Sequence, residues 1–175
     1  MMGQEHRKRR MGLISIIFLV VLATIIGSGA SFYKYQTLKY NVPYEKEILA
    51  YSKQYGTDPA LLAALISYET NFKNKEYRPN QLNGLILLKD TTAQVFAEIM
   101  DWKGFTPDML ANPDHAIHMG AFMISHWEKA GKTQKEIIRA FLLRNKDGQF
   151  KQDRTFQTAY EAIQKKYEQY QRLFT

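Results

Sequence analysis

The sequence has no cysteine in its 175 residues. Disulfides, a thiolate nucleophile and a cysteine-ligated metal are therefore excluded, although cysteine-free chains occur in every compartment. Other absences narrow the chemistry further. No Ser/His/Asp arrangement stands out, there is no phosphate-cradling glycine loop, and no His-Glu-x-x-His zinc motif occurs. Neither an internal repeat nor a low-complexity tract is present. Beyond residue 10 there is no dense basic stripe, which argues against a nucleic-acid partner. His115 and His118 lie three apart, with His126 further along. A zinc site needs another ligand held nearby, and nothing in the sequence fixes the adjacent Asp114 for that purpose. The histidines read as surface or satisfied residues, so neither a metal nor a cofactor is expected.

The net charge is +7, and it is unevenly placed. Residues 1–30 hold four basic side chains against one acid, and the remainder holds twenty against sixteen. The mildly basic remainder suits an anionic polymer such as a cell wall, and equally suits ordinary solubility. The basic cluster His6-Arg7-Lys8-Arg9-Arg10 precedes an uncharged run from Met11 to Ala30. Twenty residues at about 1.5 Å each span roughly 30 Å, the thickness of a hydrocarbon core. The positive-inside rule puts residues 1–10 in the cytoplasm and everything after residue 30 outside it. A cleavable signal peptide is the competing reading, because Gly27-Ser28-Gly29-Ala30 offers small residues. The longer apolar run favours a single-pass anchor over residues 11–30. Residues 31–43 form a linker that, fully extended, reaches about 40 Å.

Downstream, apolar spacing of three and four residues predicts helices throughout. The first covers Tyr44 to Tyr55 and is closed by Gly56. The second starts at Asp58-Pro59, an N-cap followed by a proline suited to the first helical position, and runs to about Phe72. A polar loop follows over Lys73–Asn83. Gly84-Leu85-Ile86-Leu87-Leu88 reads as a strand, an extended turn or a buried loop. Further helices are expected from Asp90 or Thr91 to Met100, from Pro113 to Ala130, from Gln134 to about Arg144 behind a Thr133 cap, and from Asp153 to Phe174. The last carries Phe156, Tyr160, Ile163, Tyr167, Tyr170 and Phe174 as one stripe. That stripe either packs on the domain or forms a seam for a protein partner. The fold class is thus all-α, with five to seven helices after one N-terminal transmembrane helix.

Within the second helix one carboxylate is oddly placed. At roughly 100° per residue, with Leu62 at zero, Leu65 falls near 300°, Ile66 near 40° and Glu69 near 340°. Glu69 therefore lies within the apolar arc, where a glutamate is seldom buried without a partner. Two readings stand. Glu69 is a solvated helix-end residue paired with Lys73 at i+4. Alternatively, apolar neighbours favour its protonated form, and it serves as a general acid.

The motifs around this residue carry a resemblance. Tyr55-Gly56-Thr57-Asp58-Pro59 precedes the helix that ends in Glu69-Thr70-Asn71-Phe72. Gly84-Leu85-Ile86-Leu87 begins fifteen residues after Glu69, and Thr91-Thr92-Ala93 follows it. Asn112-Pro113 then opens the helix with Ala116-Ile117-His118-Met119-Gly120, and Ala140-Phe141-Leu142 comes later. From Tyr44 to about Gly148 this resembles the lysozyme-like domain of soluble-type lytic transglycosylases, enzymes that cut the glycan strands of peptidoglycan. The resemblance implies a lysozyme-like domain over residues 44–150, with residues 151–175 as an appended amphipathic helix. It implies cleavage between N-acetylmuramic acid and N-acetylglucosamine by Glu69, as acid and then as base, leaving 1,6-anhydro ends. It places Tyr68, Thr70, Gly84, Leu85, Leu87, Phe141 and Asn145 along the glycan. The chain departs from the family pattern in having Arg78 for a serine, Gln81 for a glycine and Leu87 for a glutamine. Phe141 and Leu142 stand for a tyrosine and an asparagine. These losses motivate an alternative, a non-catalytic peptidoglycan-binding or scaffold protein at the membrane, within a secretion or conjugation apparatus.

Overall fold

The structure is a computed structural model that describes residues 42–144 and 153–174. The basic tail, residues 11–30 and most of the 31–43 linker lie outside the described residues. Among the described residues, no helix is long and apolar enough to cross a membrane.

Six α-helices and one 3-10 turn make up this unit. They are α1 (Glu45–Tyr55), α2 (Pro59–Thr70), α3 (Asp90–Ile99), the 3-10 turn (Pro107–Ala111), α4 (Pro113–Lys129), α5 (Gln134–Leu143) and α6 (Asp153–Phe174). The helix starts are chemically explicit. Asp58 accepts from the Ala60 N–H at 2.8 Å, with Pro59 at the first position of α2. Asn112 caps α4 in the same way, and Thr133 with Glu136 forms a reciprocal capping box at α5. At α3 the expected cap is replaced. Lys89 occupies the N-cap position, because the Asp90 carboxylate is committed to the preceding loop. It accepts from Tyr77, from the Asn80 N–H and from Asn83. Asn83, fully buried, also bonds the backbone of Arg78 and Gln81. The polar stretch 73–83 is therefore a loop wound round one asparagine.

Helix α2 is the centre of the unit. Every residue from Ala60 to Ser67 is buried. A helix that is apolar on all sides belongs inside a protein, so the single arc deduced from periodicity understates its burial. Helix α6 packs along α2, and α1 bridges α2 and α4. The aromatic stripe of α6 is used in this packing. Phe156, Ala159, Ile163 and Tyr170 are buried, and Tyr170 meets Phe72 edge-on. Its Tyr167 hydroxyl donates to Asp58 at 2.6 Å.

Residues 84–88 form a turn, not a strand. Asn83 and Leu88 exchange two backbone hydrogen bonds, of 2.9 and 3.1 Å, across it. Two glycines let this turn sink into the core. Gly84 has φ +71°, and a Cβ there would meet the Leu110 carbonyl oxygen at 2.5 Å. A Cβ on Gly120 of α4 would meet Leu62 at 3.2 Å and Ile86 at 3.5 Å. Helix α2, the turn and α4 are thereby brought together immediately behind Glu69.

Candidate active site

Glu69 stands in the last turn of α2, where the buried helix reaches the surface. Its side chain is 14 % exposed. Lys73, the partner suggested by sequence spacing, is exposed to solvent, and the carboxylate instead turns to Arg144 at the end of α5. The Arg144 Nη1 lies 3.3 Å from Glu69 Oε1. The surroundings are thus not wholly apolar, as the helical arc suggested: one cation enters from a helix 75 residues further on.

Arg144 is held from several directions. Its side chain is 2 % exposed. Nη1 also donates to the Phe141 carbonyl, and Nη2 donates to the Ile86 carbonyl. The guanidinium carbon sits 3.9 Å from the centre of the Phe141 ring, a cation–π arrangement. Its Nε is buried with no hydrogen-bond partner among the described residues. Burial pushes the guanidinium below its ordinary range, while the charge and hydrogen bond of Glu69 oppose that shift. Arginine remains a cation in proteins, so a fixed positive charge stands against the Glu69 carboxyl group in a largely buried site. Breaking a buried pair from one side costs about 3–5 kcal/mol.

The neighbouring positions divide into those that build the site and those that reach solvent. Thr70 donates to the Leu85 carbonyl at 2.9 Å and to the Ile66 carbonyl at 3.1 Å, which ties the end of α2 to the turn. Leu85 and Phe141 are fully buried. The Phe141 ring lies against the Arg144 guanidinium, and the Leu85 backbone carbonyl receives Thr70. Gly84 is likewise buried under Leu110. Leu87 is half-buried, with a left-handed backbone at φ 51°. Tyr68 is 38 % exposed, and burial together with the Glu69 charge raises its phenol above the ordinary range. Asn145 lies outside the described residues. Arg78 and Gln81 line a surface hollow with Lys75 and Asn83, and Glu69 is not among its lining residues.

Arg144 was not evident from the sequence. A basic residue at a helix C-terminus ordinarily reads as a complement to the helix dipole. The only hint was its place two residues beyond Ala140-Phe141-Leu142.

The histidines are built into aromatic packing. His118 stacks on Tyr51 with ring centres 4.5 Å apart and meets the Tyr55 hydroxyl. His115 shares a hydrogen bond with the Met109 carbonyl, and His126 packs against Phe96 and Phe122. Among the described residues, no group of three or more histidine or acidic side chains is placed to hold a metal.

A helical shell around a buried central helix, with one glutamate at its exit, defines an all-α, lysozyme-like domain. The model of the transglycosylase SLT domain matches residues 46–173, and the chain belongs to that family. Its members are lytic transglycosylases, so the family sets a peptidoglycan-directed activity for this chain. The match runs through α6, so the final helix lies within the matched region. No curated protein matches the chain significantly.

Proposed function

We propose that the protein cleaves the β-1,4 bond between N-acetylmuramic acid and N-acetylglucosamine, with Glu69 as the sole acid and base. Protonated Glu69 gives its proton to the glycosidic oxygen, and the C1–O bond breaks with its electron pair on that oxygen. The muramic 6-hydroxyl then closes onto C1, and its proton passes to the Glu69 carboxylate. The product carries a 1,6-anhydro ring. One carboxylate suffices because the substrate supplies its own nucleophile, unlike the two-carboxylate scheme of most glycosidases.

The observation that carries this reading is the position of Glu69. It is partly exposed, at the end of a buried helix, inside the family-matched region. Tyr68 and Leu87, at the rim, are the side chains we assign to glycan contact. An anchor over residues 11–30 and a linker to residue 43 would hold the domain outside the membrane, within reach of nearby wall.

One observation favours the non-catalytic alternative: Glu69 is tied to a buried cation. One experiment separates the two. Purified sacculi are digested with the full-length protein, and the soluble products are identified by mass spectrometry. Anhydro-muropeptides that disappear with Glu69→Gln support catalysis. Retention on sacculi without any release, or equal release by the variant, overturns it.

A further inference from the structure

We infer that Arg144 is the positioning residue for Glu69 in the glycan cleavage proposed above, on which this inference rests. Burying a guanidinium is costly unless it is paired and hydrogen-bonded. Here it is used by three segments at once: the end of α2 through Glu69, the 84–88 turn through the Ile86 carbonyl, and α5 through the Phe141 carbonyl and ring. The side chain is too enclosed, at 2 % exposure, to meet a glycan itself. Its effect must pass through the carboxylate it touches.

The guanidinium meets the carboxylate through one nitrogen, while its other terminal nitrogen holds the Ile86 carbonyl. Nη1 reaches Oε1, and among the described residues Oε2 has no hydrogen-bond partner. The contact draws Oε1 toward Arg144 and leaves the other oxygen to carry the proton. The charge of Arg144 acts at the same moment. As Glu69 gives its proton to the leaving oxygen, negative charge develops on the carboxylate beside a cation that is already in place. Preorganised charge of this kind, in a site with little water, stabilises the transition state without reorganisation. When the 6-hydroxyl closes onto C1, the carboxylate takes up that proton and the pair is reset.

Among the described residues, Glu69 acts electrostatically on Arg144, at the end of α5, and on Tyr68, beside it on α2. Tyr68 is neutral at ordinary pH, so Arg144 supplies the charge described here.

The test compares Arg144→Met, Arg144→Gln and Arg144→Lys in the full-length protein in detergent, with isolated glycan strands as substrate. Wild type and Glu69→Gln are run alongside. Removing one preorganised donor typically lowers kcat by about 100- to 1000-fold. We expect kcat to fall by about that factor in Arg144→Met with KM within about threefold, and Arg144→Lys to recover at least about tenfold. Arg144→Gln retains a donor for the two carbonyls without the charge. It should show the same split, and it carries the test if the methionine variant fails to fold. Folded methionine or glutamine variants with wild-type kcat overturn the inference. So does a lysine variant as inactive as the methionine one, or a loss that lies wholly in KM. If wild type releases anhydro products and Glu69→Gln does not, such results sink the role of Arg144 alone. If wild type releases none, the proposed reaction fails and this inference falls with it.

Discussion

Substituting Gly84 by alanine probes the joint that carries the site. Gly84 has φ +71°, and an alanine Cβ would stand 2.5 Å from the Leu110 carbonyl oxygen. The left-handed conformation costs an L-residue roughly 1–2 kcal/mol. Forcing an extra carbon against close-packed backbone adds about 1–3 kcal/mol. The stiffer unfolded chain returns about 0.4–1 kcal/mol. The net loss is about 2–4 kcal/mol, or roughly 6–14 °C in Tm for a domain of this size. Gly131 supplies the control. Its φ is +72°, but a Cβ there meets nothing within 4 Å. Gly131→Ala should therefore show only the conformational part, about 1 kcal/mol or less. Thermal unfolding of both variants, followed by circular dichroism, gives the difference due to the clash. The next two residues link this joint to the candidate site, since the Leu85 and Ile86 carbonyls receive Thr70 and Arg144. Glycan release by Gly84→Ala should fall at temperatures where the protein is still folded. Equal Tm losses at the two glycines would refute the packing argument.

Other expectations follow from single contacts. Tyr167→Phe removes the 2.6 Å hydrogen bond to Asp58, the N-cap of α2, together with the exposed bond its hydroxyl accepts from Gln171. Burial and that carboxylate push the Tyr167 phenol up to about 12. The loss should be about 1 kcal/mol by chemical denaturation, with glycan cleavage retained, and no measurable change would remove α6 as a brace for α2. His118 is held below its ordinary 6.5, mainly by burial, with Asp114 opposing and His115 adding to the shift. A lowered folded value means the unfolded chain takes up the proton first as pH falls. The stabilisation is then fully present above about pH 6.5 and is lost as pH drops through the folded value. Thermal scans at several pH values should show a decline that is shallower in His118→Gln, and parallel curves would count against it.

The helical character of the chain was legible before any coordinates. Spacing of three and four residues placed the helices to within a few positions, and Asp58-Pro59, Asn112-Pro113 and Thr133 marked starts that the structure uses as caps. These are local effects, set by residues close together in the chain. The 84–88 segment was ambiguous for the opposite reason. A short apolar run says that it is buried, but only the Asn83–Leu88 closure and the room above Gly84 decide that it is a turn.

The site divides along the same line. Glu69 could be picked out because helical periodicity, a local property, put a carboxylate among apolar positions, and the surrounding motifs gave it a family. Its partner could not be. Lys73 was the neighbour that spacing offered, whereas the neighbour present is Arg144, 75 residues away in sequence. Helix α5, the buried turn and the end of α2 meet only after the core has packed, with Gly120 allowing the close approach. The sequence alone therefore determined the helices, their caps and the candidate acid. Tertiary packing decided which charge stands beside that acid, because an ion pair between distant segments depends on the path of the whole backbone.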